Sequence, residues 1–361
     1  TDTLVALRDI AAIRRRQLDV PVIAITGSTG KTSTKDLLAA ALPGAWASPR
    51  SFNNEVGVPL TVLNTPSDAS YLVAEVGSRG RHHIEFLMPA VMPDVAVVTN
   101  LGVVHLETFG TTDELADSKF ELVEALQDGG VAVLPAGEER LNRQHRGRTV
   151  TFGHEDHADV RISDVRVDDR GFPRFRVHAD GQTEDIKLRV AGSHQALNAA
   201  AAVGAGLAVG IDLATLARGM EVATGSQWRM EIHPGRYTVV NDAYNANPDS
   251  MEAAMKTVAA MPGRHLAVLG TMAELGPLEA SEHRRIGELA AELGFAAVLT
   301  VGEEPGMASA AGAIGRNVAD ADTAFDLLGG MLREGDVVLV KASRAIGLEQ
   351  LALRLAKEAT A

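Results

Sequence analysis

The sequence predicts an α/β protein whose first part builds a mostly parallel sheet around a phosphate-binding loop. Three observations support this fold class. Short apolar runs of the buried-strand type, such as Val22–Ile25, alternate with stretches of helical periodicity, which is the pattern of βαβ units. A glycine-rich loop containing a Lys and a Thr follows that first run. The same alternation resumes near the C-terminus after a β-rich interruption, so a second α/β domain is expected.

The elements of the first part follow from apolar spacing and turn signals. Leu4, Leu7, Ile10 and Ile13 lie three residues apart, which predicts an amphipathic helix that ends before Pro21. The predicted elements are, in order, a helix over Thr1–Arg16, a strand over Val22–Ile25, a helix over Lys31–Leu42, strands over Tyr71–Val76 and Val95–Thr99, a helix over Asp113–Gln127 and a strand over Val131–Leu134.

From about Thr149 to Val190 the chain changes to short alternating segments separated by turn residues, which predicts β-hairpins. Small residues gather at 223–226 and mark the expected domain boundary. One domain would span residues 1–224, with an N-terminal helix at 1–17, and the other residues 225–361. The predicted elements are hairpin strands over Val160–Val167, Phe172–His178 and Asp185–Val190, helices over Gln195–Val209 and Leu213–Glu221, and strands over Tyr237–Asn241, Leu266–Leu269, Ala297–Val301 and Val337–Lys341, each of the last four followed by a helix.

Composition excludes several classes of protein. The 361 residues carry 47 acidic and 34 basic side chains, a formal net charge of −13, which argues against a nucleic-acid binder. Cysteine is absent, so disulfide scaffolds, zinc ribbons and thiol nucleophiles are excluded. No apolar stretch is long enough to cross a bilayer, and the N-terminus lacks the pattern of a signal peptide. We therefore expect a cytoplasmic protein without membrane insertion, and a monomer.

The glycine-rich loop, Ile-Thr-Gly-Ser-Thr-Gly-Lys-Thr at residues 25–32, lies between a strand and a helix. Amide groups in such a loop and the positive end of the helix hold phosphate oxygens. Lys31 would reach the β- and γ-phosphates, and the Thr32 hydroxyl would ligate Mg²⁺. Ile25 stands where the general pattern has its first glycine, and no Asn-Lys-x-Asp guanine motif occurs. The candidate nucleotide-binding residues are Gly27, Ser28, Thr29, Gly30, Lys31, Thr32 and Ser33.

Two further candidates follow strands that should neighbour the loop's strand. Glu75 ends the strand that begins at Tyr71, and His105 follows the strand Val95–Thr99. The carboxyl ends of parallel strands face one crevice, and Mg²⁺ takes few protein carboxylates. Glu75 and His105 are therefore predicted to share a metal site with the loop, the alternatives being a solvated acid and an ordinary loop histidine.

Strings along nearly the whole chain resemble the Mur ligases, and among them the branch that adds D-alanyl-D-alanine. The glycine-rich loop is similar to the family's ATP loop. The resemblance implies a central P-loop ATPase domain followed by a C-terminal Rossmann-like α/β domain. The other matching strings, in family order, are Asn53–Pro59, His105–Glu107 with Phe109–Gly110, Asp242–Pro248 (Asp-Ala-Tyr-Asn-Ala-Asn-Pro), Gly270–Gly276 (Gly-Thr-Met-Ala-Glu-Leu-Gly) and Lys341–Arg344.

The resemblance implies an ATP-dependent, ADP-forming amide ligase of peptidoglycan precursor synthesis, with ATP and Mg²⁺ as cofactors. Its partners would be two small molecules, UDP-MurNAc-tripeptide and D-Ala-D-Ala. The family phosphorylates the tripeptide's terminal carboxylate, and the dipeptide's amine attacks the resulting acyl phosphate. Anionic oxygens then need cations at every stage.

Carried over position by position, the resemblance implies roles for individual side chains. Lys119 falls where the family has a lysine that is carbamylated into an acid-like Mg²⁺ ligand; the alternative is an ordinary helix-surface lysine. The expected catalytic residues are then Lys31, Lys119 and His105, and the expected metal set is Thr32, Glu75, His105 and Lys119.

The remaining roles concern the nucleotide and the substrates. Asn198 is expected at adenine, Arg229 at the domain junction and Asp242 at the ribose hydroxyls. His283 also matches a family histidine, although a place on a helix face is equally open. The expected substrate contacts are Asn54, Tyr244, Asn245, Asn247, Lys341 and Arg344, the last two as neutralisers of substrate carboxylates or of the departing phosphate.

The chain departs from the family pattern in three places. Gln195 replaces the first Asn of the family's Asn-x-x-Asn helix, and the Pro-Gly expected before Arg229 is absent. Residues 1–24 precede the loop where the family has a UDP-binding N-terminal domain. Either the chain is a fragment or it is a shortened relative that takes a non-UDP acid; Thr1 and the first helix favour a fragment.

Two other functions remain open at this stage. One is a related ligase with a different acid and amine, as in folylpolyglutamate or cyanophycin synthesis. The other is a nucleotide-binding module without ligase activity, which the intact set of predicted catalytic residues disfavours. Because ATP would sit on the first domain while Asp242 and Lys341 come from the second, catalysis is expected to require closure about residues 223–228.

Overall fold

The computed structural model describes residues 2–102 and 109–361. Within these ranges the first lobe is built on a nine-stranded sheet in the order β2-β3-β1-β4-β5-β6-β7-β8-β9. The strands are β1 (Val22–Thr26), β2 (Ala45–Ala47), β3 (Tyr71–Glu75), β4 (Val95–Val98), β5 (Val131–Pro135), β6 (Arg148–Gly153), β7 (Val160–Val167), β8 (Pro173–Ala179) and β9 (Gln182–Lys187).

Strands β1 to β7 pair in parallel, and β8 pairs antiparallel with both β7 and β9. In β1, Ile25 pairs with Glu75 and Thr26 pairs with Val98, so the expectation that β3 and β4 flank the loop's strand is confirmed. The helices are α1 (Thr3–Arg15), α2 (Lys31–Ala41), α3 (Gly57–Leu63), α4 (His83–Val91), α5 (Thr112–Glu124), α6 (Gln195–Ala208) and α7 (Leu213–Glu221).

Apolar side chains on both faces of this sheet are buried. Ile23 and Ile25 pack with α2 and α6, whereas Val22 and Ala24 pack with α1 and α4 on the opposite face. Because successive strand residues alternate between faces, a strand covered by helices on both sides must be apolar at every position. This explains the continuous apolar run of β1.

The predicted hairpins continue the central sheet rather than forming a separate one. The third strand begins at Gln182, three residues before the predicted Asp185, and ends at Lys187 rather than Val190. Ala179 pairs with Gln182 across a two-residue turn, in which Asp180 (φ 50°) and Gly181 (φ 73°) are both left-handed. This geometry is the tight hairpin turn that matches strand twist, so the returning strand starts immediately after it.

The second lobe contains, among the described residues, a six-stranded sheet in the order β10-β11-β15-β12-β13-β14, parallel except for β10. The predicted α/β class is therefore confirmed. The predicted boundary between residues 224 and 225 falls between the two sheets and stays a prediction. The elements are β10 (Glu231–His233), β11 (Thr238–Asn241), β12 (His265–Leu269), β13 (Ala297–Val301), β14 (Gly315–Val318) and β15 (Val337–Lys341), with helices α8 (Pro248–Ala259), α9 (Glu279–Glu292), α10 (Met307–Ala310), α11 (Ala321–Met331) and α12 (Glu349–Ala359).

Several short elements were not predicted, among them β2, α3, α4, β10 and β14. They are too short to show periodicity, and α4 contains Pro89, a residue that normally ends a helix. None of the helices in the described ranges combines the length and the apolar character needed to cross a membrane.

Candidate active site

A cleft of about 1160 Å³ lies between the lobes, at the carboxyl ends of the central strands of both sheets. It brings together nearly all the predicted residues. Gly27 lies just behind it, and His105 lies outside the described residues. The predicted residues that line it are Ser28, Thr29, Gly30, Lys31, Thr32, Ser33, Asn54, Glu75, Lys119, Asn198, Arg229, Asp242, Tyr244, Asn245, Asn247, Lys341 and Arg344.

The glycine-rich loop is held from behind by Asn100, a residue that sequence analysis did not select. The N–H of Ser28 donates to the Asn100 carbonyl (3.1 Å) and the N–H of Thr29 to Asn100 Oδ1 (2.9 Å). The first intrahelical bond of α2 runs from Thr34 N–H to the Gly30 carbonyl (2.8 Å). The N–H groups of residues 31–33 therefore point out of the helix start, where an anion can reach them, whereas those of Ser28 and Thr29 are bound to Asn100.

Lys31 folds over its own loop. Its Nζ donates to the carbonyls of Gly27 (2.6 Å) and Ser28 (3.2 Å). Burial lowers the pKa of Lys31 to about 8; Glu75 opposes the shift, and the positive charge of Arg229 adds to it. The Lys31 ammonium is therefore buried near a second positive charge, that of Arg229. An incoming anion would reduce the repulsion between these two charges.

Glu75 has one carboxylate oxygen bound and one free. The side chain is 1% exposed, and its Oε1 accepts from Asn53 Nδ2 at 2.7 Å. Its Oε2 is buried and has no hydrogen-bond partner within residues 2–102 and 109–361. A buried carboxylate oxygen left in this state costs free energy unless a cation meets it.

The donor set around Glu75 suits a hard cation. Thr32 is buried at the start of α2 and lines the same cleft, and a hydroxyl and a carboxylate are oxygen ligands of the kind Mg²⁺ takes. No group of three or more His, Asp and Glu side chains placed to hold a metal occurs in the part of the chain that the structure describes. A cation here would therefore depend on few protein carboxylates together with phosphate oxygens and water.

Lys119 is a buried lysine, not an ordinary surface one. It lies on α5, is 1% exposed and lines the cleft. Its Nζ lies 5.9 Å from the ring centroid of Phe109. Burial, reinforced by the charge of Lys31, holds the pKa of the Lys119 amine well below its ordinary value, so the amine is readily available in its neutral, nucleophilic form.

The helix α6 presents a hydrogen-bonded chain to the loop. Asn198 Nδ2 donates to Gln195 Oε1 (2.9 Å), and Gln195 Nε2 donates to His194 Nε2 (3.2 Å). A Cβ on Gly30 would lie 2.3 Å from Asn198 Oδ1, so the loop and this helix are in direct contact. Gln195 therefore orients the Asn198 side chain. Burial lowers the pKa of His194 to about 4.

The junction between the lobes is irregular around Arg229. Trp228 (φ 59°) and Met230 (φ 50°) are both left-handed, a conformation that favours glycine. Trp228 stands where the family pattern has the glycine of Pro-Gly-Arg. The Arg229 guanidinium lies 4.1 Å from the Tyr244 ring centroid, while its buried Nε has no hydrogen-bond partner in the described ranges.

Two predicted substrate contacts line the cleft and also hold the starts of helices. Asn54 Oδ1 accepts from the N–H groups of Val56 (3.2 Å) and Gly57 (2.8 Å) at the start of α3. Asn247 Oδ1 accepts from Ser250 N–H (2.9 Å) in a capping box at the start of α8. Asn247 is thus an N-cap, a position that favours Asn, whereas Asn54 holds the turn just before α3; their substrate roles stay predictions.

The charged residues of the second lobe are largely paired. Lys341 Nζ donates to Asp242 Oδ2 (2.6 Å) and to the Asn245 carbonyl (2.8 Å). Arg344 forms an ion pair with Glu349 (2.9 Å), and its guanidinium lies 4.6 Å from the Trp228 ring centroid.

Side-chain hydrogen bonds join the lobes within the part of the chain that the structure describes. Ser51 Oγ meets the Tyr244 hydroxyl, and Ser226 Oγ donates to Asp36.

His283 is far more constrained than a residue on an exposed helix face. It is fully buried, with its Nε2 accepting from Met272 N–H (2.9 Å) and its Nδ1 donating to the Glu279 carbonyl (2.7 Å). It therefore supports the loop that carries Ala273 and Glu274 into the cleft.

Comparison with known proteins gives a consistent result. A model of the Mur ligase middle domain matches residues 25–206, and one of the Mur ligase, glutamate ligase domain, matches residues 228–344. A UDP-N-acetylmuramoyl-tripeptide–D-alanyl-D-alanine ligase of Mycobacterium tuberculosis is 38% identical over 99% of this chain and 78% of its own length.

Solved structures agree with the sequence relatives. The MurF structure from Acinetobacter baumannii superposes with a TM-score of 0.90 at 30% identity, covering 99% of this chain and 81% of that one. The MurF ligase of Thermotoga maritima in complex with ADP gives a TM-score of 0.88 at 27% identity, covering 99% and 84%.

Proposed function

The chain belongs to the Mur ligase family, and we propose that it joins D-alanyl-D-alanine to the terminal carboxylate of a UDP-MurNAc-tripeptide while ATP is converted to ADP and phosphate. Its curated relatives with this named activity align over nearly the whole chain. The observation that carries the proposal is the single cleft in which Lys31, Glu75 and Lys119 of the first lobe face Asp242 and Lys341 of the second.

The chemistry requires activation of the acid. A carboxylate is a poor electrophile, so an oxygen of the tripeptide's carboxylate attacks the γ-phosphorus of ATP, the bond to the β-phosphate oxygen breaks, and ADP leaves. The amine of the dipeptide, having lost a proton, then attacks the acyl carbon. The tetrahedral intermediate collapses with loss of phosphate, and an amide remains.

Lys31 and the start of α2 would hold the phosphates. The N–H groups of residues 31–33 point out of the helix start, and the Lys31 ammonium would move from the Gly27 and Ser28 carbonyls to phosphate oxygens. Arg229, with its unpaired buried Nε, adds positive charge on the other side. The helix-start N–H groups and Arg229 are in place before charge develops, which favours electrostatic stabilisation of the transferring group.

A magnesium ion would be held by Thr32 and by the free Oε2 of Glu75, with His105 as a further predicted ligand outside the described residues. When bound, the ion polarises the γ-phosphate and neutralises charge on the oxygens in transfer. The role of the protein is to hold the Glu75 carboxylate oriented in a buried position.

Lys119 would act as a carbamate. Its neutral amine adds to carbon dioxide, a proton is released, and the side chain gains a carboxylate-like anion. Burial and the charge of Lys31 favour the neutral amine that this reaction needs. The product anion would lie close to the Lys31 ammonium, which would stabilise it, and would contribute oxygens to the metal site.

The remaining predicted contacts divide between nucleotide and substrates. Asn198, oriented by Gln195, would contact adenine, and Asp242 would accept from the ribose hydroxyls. Tyr244 and Asn245 would shape the second lobe's side of the cleft. Lys341 would act mainly through Asp242, to which it is bound, so Arg344 at the cleft mouth is the better candidate to meet a substrate carboxylate.

The test is the release of phosphate by the purified chain with Mg·ATP. We expect release only when both D-Ala-D-Ala and a UDP-MurNAc-tripeptide are present. Release with a tripeptide acid lacking the UDP group would support the shortened-relative alternative. Binding of ATP without release under any combination would point to a nucleotide-binding module and overturn the proposal.

A further inference from the structure

The loop between β2 and α3 carries a residue, Asn53, that contacts the end of β3 at two points. Its backbone carbonyl accepts from Gly77 N–H at 2.7 Å, and its side-chain Nδ2 donates to Glu75 Oε1 at 2.7 Å. A Cβ on Gly77 would lie 3.0 Å from the Asn53 carbonyl oxygen, so the two segments approach closely. The side-chain contact is therefore built on a backbone contact that any residue at position 53 would keep.

The consequence lies in the two oxygens of Glu75. Oε1 is bound by Asn53, whereas Oε2 is buried without a partner among the described residues. An amide N–H₂ group only donates, so Asn53 fixes the carboxylate plane without competing for a cation. We infer that Asn53 is the positioning residue of the metal site: it binds one oxygen of Glu75 and leaves the other for a divalent cation.

Lys35 on α2 extends the same support. Its buried ammonium donates to the carbonyls of Ser48 (2.9 Å) and Arg50 (2.7 Å). Ser48 Oγ in turn accepts from the backbone N–H of Glu75 (3.0 Å). Helix α2 begins at the phosphate loop. Through Lys35 it therefore holds the loop between β2 and α3, which carries Asn53. Hydrogen bonds thus connect α2, through Lys35 and Ser48, to the backbone of Glu75.

The inference rests on the proposed function, in which Glu75 ligates Mg²⁺. The groups that orient a metal ligand are often nearly as important as the ligand, and their loss costs about 10- to 100-fold in metal affinity. Asn53 should therefore act on cation binding and not on nucleotide binding as such. A merely structural role would change both, or would change only stability.

The experiment measures Mn²⁺ binding to the full chain with saturating ADP, by the electron paramagnetic resonance signal of free Mn²⁺. Asn53→Ala should weaken Mn²⁺ binding by about 10- to 100-fold, while ADP affinity in EDTA stays unchanged. Asn64→Ala is the matched control, because Asn64 also donates through its amide, but to Leu60 at the exposed end of α3. Asn53→Ser provides a second variant, and a thermal melt shows that each variant is folded.

The double variant separates the two hypotheses. If Asn53 acts through Glu75, adding Asn53→Ala to Glu75→Gln should weaken Mn²⁺ binding no further. If Glu75→Gln binds Mn²⁺ like the wild type, the metal assignment in the proposed function is wrong. Two other outcomes would overturn only the positioning role of Asn53. In the first, Glu75→Gln loses Mn²⁺ binding while folded Asn53→Ala and Asn53→Ser keep it. In the second, the double variant loses as much affinity for Mn²⁺ as the product of the losses in the two single variants.

Discussion

Lys341 and Asp242 form a buried ion pair at the carboxyl ends of two neighbouring parallel strands, β15 and β11, with Nζ and Oδ2 2.6 Å apart. The side chains are 2% and 12% exposed. The Met230 N–H donates to the other carboxylate oxygen (3.0 Å), and the Asn245 carbonyl accepts from the ammonium. Each charge of the pair is therefore compensated. Through the bond from Met230, the pair also connects the junction between the lobes to the cleft.

Breaking this pair should destabilise the protein more than removing both charges. Lys341→Met leaves the Asp242 carboxylate buried without its cation, which should lower the free energy of unfolding by about 3–5 kcal/mol. Asp242→Asn with Lys341→Met removes both charges and should recover part of that loss. Urea unfolding of the single and double variants is the measurement. A double variant no more stable than Lys341→Met would show that the pairing is not what the lysine contributes.

ATP affinity should fall as the pH rises through the pKa of Lys31. In the free protein that pKa is lowered to about 8, and bound phosphates favour the ammonium, so binding takes up a proton above that pH. With a pKa of about 8, affinity should drop roughly tenfold between pH 7 and pH 9. Calorimetry in two buffers of different ionisation enthalpy measures the uptake directly.

The control for the pH dependence is Lys31→Arg. A guanidinium stays ionised over this range, so this variant should bind ATP with a much flatter pH profile, whatever its absolute affinity. A wild-type profile that is flat, or one that Lys31→Arg reproduces, would remove Lys31 as the titrating group.

Lys119→Ala should lose activity, and short carboxylic acids should restore part of it. The alanine leaves a space beside the metal site, and an added carboxylate can supply the oxygens of the missing carbamate. We expect a loss of about 100- to 1000-fold in kcat, as for other removed electrostatic groups. The matched control is Lys256→Ala, which removes an exposed lysine paired with Glu252. Full activity of Lys119→Ala would exclude the carbamate.

Gly30→Ala should impair both folding and nucleotide binding. Gly30 has φ +79°, and an added Cβ would meet Asn198 Oδ1 at 2.3 Å. Gly210→Ala is a close control, because Gly210 has φ +85° with nothing within 4 Å of its Cβ position. The left-handed backbone alone should cost about 1–2 kcal/mol in each.

The difference between these two glycine variants reports the contact with Asn198. Gly30→Ala should be the less stable one in urea and should bind ADP at least about tenfold more weakly, because the loop must shift away from α6. If Gly30→Ala and Gly210→Ala are equally stable and ADP binding is unchanged, the close approach of the glycine-rich loop to α6 is not required.

What the sequence determined by itself is the local part of this site. A strand, a glycine-rich loop and a helix follow one another within residues 22–41, and their periodicity and glycine pattern are readable without knowing the rest of the fold. The parallel strand pattern also placed Glu75 beside that loop, because the carboxyl ends of such strands share an edge. The resemblance added Lys119, Asn198 and Asp242, all of which line the cleft.

Only the tertiary structure decided which side chains meet. Asn53 and Glu75 lie 22 residues apart and Asp242 and Lys341 lie 99 apart, and each pairing depends on strand order and register, which short-range patterns do not encode. For the same reason the sequence did not show that Asn54 accepts from N–H groups at the start of α3 while its neighbour Asn53 contacts the predicted metal ligand. Residue type and spacing select candidates, whereas the direction in which each side chain points is set by the packing of distant segments.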